Sequence, residues 1–310
     1  MATASRSIGR RATGEAAVAE DERARIPRGL GIAIVIVGLL VLWEALKWFA
    51  GDPWRIHADI LGLRVDYEHF PPFHLRIASD LSLPHIWDVA NAFIQPTPAG
   101  DPRGMELLGA ALFTFQEAFV GFVFGTLLGL ALGTILVHSG LLERALVPYV
   151  VASQTVPIIA LAPIIVVFLR AGWLSVAVIA AYLTFFPVTI ATIRGLRAAD
   201  RRTFELMRSY AASPLEILWK LRFPSAVPYL FPALRIAASA SVVGAIIGEL
   251  PSGIPGGLGG QILIDNQFYT SGPWNLWATI IAAALLGLAF VGLVALAERL
   301  LTSGRYRPVG

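Results

Sequence analysis

The 310-residue chain contains no cysteine, which excludes a disulfide framework and any thiolate metal site. Lysine is nearly as scarce. Lys47 and Lys220 are the only two, lying between Leu46 and Trp48 and between Trp219 and Leu221. Neither sits in a GxxxxGK[ST] loop, so no phosphate-binding loop of that kind exists in the chain. The five histidines form no HxxxH or HExxH pair, and no metal ligand set is expected. Charged residues make up only 15% of the chain, against roughly 25% in a soluble domain. What fills the space is apolar: 56% hydrophobic residues and a mean hydropathy of +0.69. These values describe a membrane protein. The net charge of +3 and pI near 9.4 come from arginines clustered beside apolar runs. That pattern sets orientation in a bilayer and gives no reason to invoke nucleic acid.

Six apolar spans are expected. Residues 1–28 are polar and free of apolar runs, a surface tail. The first transmembrane helix covers 29–50, with Glu44 and Lys47 at i, i+3 near its far end, placed to pair or to snorkel to the interface. Trp43, Trp48 and Phe49 follow the apolar run where a cleaved signal would have small residues, so this span is expected to be retained. Residues 51–104 contain Pro53, Pro71, Pro72, Pro84, Pro96, Pro98 and Pro102, too broken to cross a membrane.

The core, 105–302, holds the other spans. The run 118–137 is free of charge and is about the 20 residues needed to cross a bilayer. Within it Gly121, Gly125, Gly129 and Gly133 recur every fourth residue, a face on which another helix can pack closely. The run 145–169 contains Pro148, Pro157 and Pro163 and is expected to kink. Spans at 173–193, 233–250 and from 276 onward complete the set, followed by an Arg-bearing tail at 303–310. With both termini inside, the Arg-rich N-tail, the 194–222 loop and the C-tail are cytoplasmic. The 251–275 loop, which lacks Lys and Arg, then falls outside.

The segment 194–230 is amphipathic and basic. It reads as a short helix to Ala212, continuing through Ala211 because an alanine resists a left-handed turn. A turn follows at Ser213 and Pro214, and a second helix begins at Leu215. Ser213, Pro214 and Glu216 fit an N-cap, a first-turn proline and the third position of a capping box. Pro224 and Pro228 are expected to stop that helix.

The order Glu205, Leu206, Met207, Tyr210, Ala211, Ser213, then Phe223, Pro224, Leu234 and Arg235 resembles the EAA loop of ABC-importer permeases. That pattern has a Glu, two small residues, a Gly six positions on and an apolar-Leu-Pro about a dozen residues later. Leu206 and Met207 stand for the small pair, Ala211 for the Gly, and Phe223 for the Leu before the proline. Leu83, Pro84, Val89 and Phe93, and Glu249 with Gly257, Leu258 and Gly259, are similar to segments of the nitrate, sulfonate, taurine and bicarbonate branch, which also takes in pyrimidine-precursor and riboflavin permeases.

The resemblance implies an all-α type I importer permease with a cytoplasmic helix-turn-helix coupling loop. It implies a homodimer or a pair with a homologue, in the inner membrane, fed by a periplasmic or lipid-anchored substrate-binding protein. Separate ABC ATPase subunits would bind ATP and Mg, contacting Glu205, Tyr210, Ala211, Ser213 and Pro224; this chain would hold no cofactor and no catalytic residue. Polar groups inside spans are costly and thereby candidates for the pathway: Ser153, Gln154, Thr155, Thr184, Ser239, Ser241 and Glu249. Glu249 equally fits a cap on the 251–260 turn, and Glu117 and Arg235 fit interfacial anchors as well as pathway groups. The rival readings are a secondary transporter or channel without an ATPase, and a membrane enzyme. The first would place charged partners deep in several spans, and the second would cluster His, Asp or Glu on one face.

Overall fold

The computed structural model describes residues 28–60, 63–98, 100–170, 172–254 and 256–302. The expected tails at 1–27 and 303–310 lie outside them. Contacts divide the chain into two compact units that part between Ile86 and Trp87.

In the first unit, α1 (Arg28–Ala50) is followed by an antiparallel hairpin of β1 (Trp54–Ile60) and β2 (Leu63–His69), in register from Trp54 opposite His69 to Ile60 opposite Leu63. A 3-10 turn at Arg76–Ala78 comes next. The chain then folds back on the end of α1, with Phe73 N donating to Phe49 O at 3.3 Å and Leu75 N to Ala50 O at 2.8 Å. Glu44 and Lys47 neither pair with each other nor snorkel. The fully buried Lys47 ammonium donates to Asp80 at 2.5 Å and to Leu83 O at 2.6 Å. The Glu44 carboxylate accepts from Ile86 N at 2.8 Å and lies 2.9 Å from His85 Nδ1. Trp43 Nε1 donates to Pro84 O at 3.0 Å. For Lys47 the reason is burial, since a charge removed from water needs a partner on hand; Glu44, still partly exposed, is taken up by the same 80–86 segment.

The second unit is helical: α2 (Ile86–Ala92), α3 (Arg103–His138), α4 (Gly140–Ser153), α5 (Ile158–Phe168), α6 (Trp173–Arg197), α7 (Arg201–Ser209), α8 (Pro214–Ile217), α9 (Phe223–Ser252), α10 (Leu258–Gln267) and α11 (Pro273–Thr302). A π-turn at Leu218–Arg222 joins α8 to α9, so that Pro214–Ser252 forms one 39-residue rod, roughly 58 Å long. Across both units, α1, α3, α6, this rod and α11 are long and apolar enough to cross a membrane. The pair α4 and α5 passes the same test together, bent by 96°, for up to six spans.

Three expectations change here. The second span begins at Arg103, not near 118, because its first turns are amphipathic and pack Leu107 and Ala110 into a core with Leu258 and Ala278. The kink anticipated within 145–169 is a full break, at 154–157. Pro157 starts α5, and the residue before a proline is disfavoured in helix. Pro224 and Pro228 do not stop the chain: Pro224 falls in the first turn of α9, where a missing amide is tolerated, and the helix runs on through Pro228 and Pro232.

At the centre lies α6, clasped from two sides. All four glycines of the 121–133 series are buried on α3, and a Cβ on any of them would come within 3.0 Å of α6. On α9, a Cβ on Gly244 would come within 2.9 Å of Ala180 of α6, and one on Gly248 within 3.2 Å of Ile179 and Val176. Such close backbone approach is how helices associate where burial from lipid gives no hydrophobic gain.

Candidate functional site

At one end of the rod, α7 and α8 form a projecting helix-turn-helix. Asp200 caps α7, its carboxylate accepting from Thr203 N at 3.0 Å and from Thr203 Oγ1 at 2.9 Å. The backbone bond from Thr203, then its hydroxyl, holds the Asp200 carboxyl below the usual carboxylate range. Arg201 Nε reaches Glu205 at 2.9 Å along an exposed face. The helix ends at Ser209, short of the expected Ala212. Ala212 N donates to Met207 O at 3.0 Å and Ala211 N to Arg208 O at 2.9 Å, with Ala211 at φ 55°. This is a Schellman closure with alanine in the position that usually takes glycine. The two backbone bonds outweigh the roughly 1–2 kcal/mol that a left-handed alanine costs, which is why the helix does not continue through it.

Ser213 and Glu216 form both halves of a capping box: Glu216 N donates to Ser213 Oγ at 3.3 Å, and Ser213 N to the Glu216 carboxylate at 2.9 Å. Two guanidinium groups lie over the Phe204 ring, Arg208 at 5.3 Å and Arg222 at 5.2 Å, the second tying α7 to the π-turn. Leu218 is buried with Leu196 and Ala226, and a Cβ on Gly195 would strike Ala226. The knob is thus fastened to α6 and α9, while Glu205, Leu206, Tyr210, Leu215 and Trp219 stay on its surface, Tyr210 at 80% exposure. Pro224 sits where the knob passes into the rod.

The polar residues singled out inside the spans divide into two sets. Thr184, Ser241 and Glu249 are fully buried, the hydroxyls donating to Ala180 O at 2.9 Å and Ala238 O at 2.8 Å. Gln154, Thr155 and Ser239 are exposed on the chain, the first two in the break between α4 and α5. Ser153, beside that break, bonds Val150 O at 2.7 Å, and its own carbonyl accepts from Tyr182 of α6.

At the far end of the rod, Glu249 accepts from Gly259 N at 2.5 Å in the first turn of α10, and Leu258 N donates to Thr114 Oγ1 of α3 at 2.9 Å. A side chain on Gly257 would land on the Glu249 carboxyl group, and one on Gly259 would strike Ile246 O. The far end of α10 is fixed by a second cluster, where Arg103 donates to the buried Asp265 at 2.5 Å and Thr279 Oγ1 to the same carboxylate at 2.5 Å. Reading the sequence alone missed Arg103 and Asp265; the one signal was an acid standing alone in an apolar stretch. Arg235, left open between anchor and pathway, pairs with Glu298 of α11. Among the described residues no group of three metal-ligating acids, histidines or cysteines comes together.

These features define a class: a multi-pass helical membrane protein with a capped helical knob at one end of its bundle. Residues 125–303 match the family described as the binding-protein-dependent transport system inner membrane component, and the chain belongs to that family of ABC transporter permeases. It is 33% identical over 272 residues to the riboflavin transport system permease of Chloroflexus aurantiacus, covering 88% of this chain and 89% of the relative. To the formylaminopyrimidine transport permease of Halalkalibacterium halodurans it is 33% identical over 178 residues, 54% of this chain and 71% of the relative. To the nitrate import permease of a Synechocystis strain it is 26% identical over 271 residues, 87% and 85% of the two chains. An inward-facing structure of the MetNI methionine ABC transporter shares the fold at a TM-score of 0.55 and 22% identity, covering 67% of this chain and 99% of that one.

Proposed function

We propose that two copies of this chain form the translocation pathway of an ATP-driven importer, and that ATPase subunits seat the 200–228 knob in their clefts. The observation that carries this is the joining of knob to rod. Leu215 and Trp219 lie on the 39-residue Pro214–Ser252 helix itself, and Glu205, Leu206 and Tyr210 lie on the helix and closure that the Phe204–Arg222 contact ties to its start. A displacement of the knob therefore moves α9 along its whole length, and α6 with it through Leu218 and Leu196. Glu205, Tyr210, Ala211, Ser213 and Pro224 are assigned to this coupling surface: Glu205 and Tyr210 as contacts, the other three as the residues that shape it.

ATP and Mg belong to the partner, since neither lysine of this chain lies in a phosphate-binding loop; the chain itself contributes no catalytic group. A binding protein delivers the solute on the opposite side from the knob, and the Arg-rich knob and both tails face the cytoplasm. Gln154 and Thr155 are assigned to the pathway because broken backbone at membrane depth must face protein or water, and Ser239 is assigned with them as a neutral, exposed group on α9. Thr184, Ser241 and Glu249 are assigned to holding the bundle. Both relatives at 33% identity have names that specify nitrogen heterocycles, and a small solute of that chemistry is the first to test.

The experiment is co-purification of the ATPase subunits with wild type and Glu205→Arg. The expected outcome is a drop of about tenfold in association while the variant remains folded in the membrane. Transport that persists without any ATPase would overturn the reading in favour of a secondary transporter.

A further inference from the structure

Where α3, α9 and α10 meet, two carboxyl groups face one another with too few partners. Thr114 and Glu117 lie three residues apart on one face of α3. Thr114 Oγ1 accepts from Leu258 N, and the next amide, Gly259 N, donates to Glu249 Oε2. This places the Glu249 carboxyl within hydrogen-bond reach of that of Glu117. Neither side chain has any exposed surface. Apart from the Thr114 hydroxyl, which lies beside the Glu249 carboxyl, both oxygens of Glu117 and Oε1 of Glu249 have no protein donor. The walls around them are apolar, with Ala118, Val242, Ala245 and Phe290 in the adjoining core.

The cations on the packed elements lie away from this pair, His138 and Arg299 standing in the last turns of α3 and α11. Arg103 of α3 is paired with Asp265 of α10, and Arg235 of α9 with Glu298 of α11. On α6 the only charges are Arg194 and Arg197, in its last turn, where the knob is fastened. Two carboxylates cannot share a dry site without a positive charge between them. The glycine at 257 leaves the carboxyl its room, since any side chain there would occupy it.

We propose that Glu117 and Glu249 together hold one monovalent cation, a proton or Na+, and that the bound cation latches α10 to α3 and α9. With a proton, one carboxyl donates to the other. With Na+, the three unpartnered oxygens and Thr114 Oγ1 supply ligands. Losing the cation sets two like charges against each other beneath the first turn of α10, which Glu249 and Thr114 hold by its backbone amides.

The test is thermal unfolding of the purified full-length chain in detergent, over a pH series, with NaCl against choline chloride at equal ionic strength. Wild type is expected to lose about 3 °C or more in Tm as pH rises in choline. Recovery of that loss on adding Na+ identifies a sodium site, and no recovery identifies a proton. Glu117→Gln supplies an amide donor to Glu249 without charge, and is expected to unfold at or above the wild-type temperature with no dependence on pH or Na+. Glu249→Gln is the second variant, expected to lose the same dependence even if Glu117→Gln fails to fold. A wild-type Tm insensitive to both conditions overturns the proposal. So does a wild-type dependence that persists in the folded variants, because the titrating group then lies elsewhere.

Discussion

At one end of the Pro214–Ser252 rod, Ser213 and Glu216 close a capping box on an exposed turn; at the other, Glu249 grips a backbone amide with none of its surface exposed. Both ends solve the same problem, the orphan amides of a helix N-terminus, α8 in the first case and α10 in the second. The difference lies in what happens if the partner is removed. On the exposed knob, water takes over the lost bond. In the bundle nothing does, so a change there costs a multiple of the same change at the knob. A surface that has to meet another protein can tolerate substitution, while the buried end has fixed partners on three helices.

That contrast can be broken by substitution, beginning with the largest effect. Arg103→Ala leaves Asp265 buried without its cation and is expected to cost about 3–5 kcal/mol, measured as a collapse in Tm or in folded yield from detergent. Gly257→Ala pushes a methyl group into the Glu249 carboxyl and should cost about 1–3 kcal/mol, with hydrogen exchange rising across Leu258–Gln267 ahead of the rest of the bundle. At the knob, Ser213→Ala is expected to cost only about 1 kcal/mol, read as faster proteolysis near 213 with the bundle intact. Ala211→Gly runs in the opposite direction and should stabilise the knob by about 0.5–1 kcal/mol, by relieving the left-handed alanine. Equal losses for Arg103→Ala and Ser213→Ala would erase the distinction between the two ends.

What the sequence made legible follows from how local each signal is. The apolar runs, the Ser213-Pro214-Glu216 box and the four-residue glycine spacing are all short-range patterns, visible without knowing the fold. Their partners are not visible. Arg103 and Asp265 stand 162 residues apart, and no periodicity links them. Lys47 and Asp80 meet only because the chain folds back on α1, and Glu44 and Lys47 at i, i+3 invited the wrong pairing. Ala211 misled because propensity speaks against a left-handed alanine, whereas the backbone bonds of the closure decide the matter. Pro224 and Pro228 misled for a related reason: a proline ends a helix in water more readily than in a bundle that tolerates the missing amide.

The glycine contacts on both sides of α6 have a consequence for motion. Gly121, Gly125, Gly129 and Gly133 on α3, with Gly244 and Gly248 on α9, seat backbone against backbone like teeth in a rack. Sliding either helix by part of a turn would ride a tooth up onto a Cβ. Helices α3, α6 and α9 are therefore expected to travel as one solid block, with the 96° bend between α4 and α5 lying outside it.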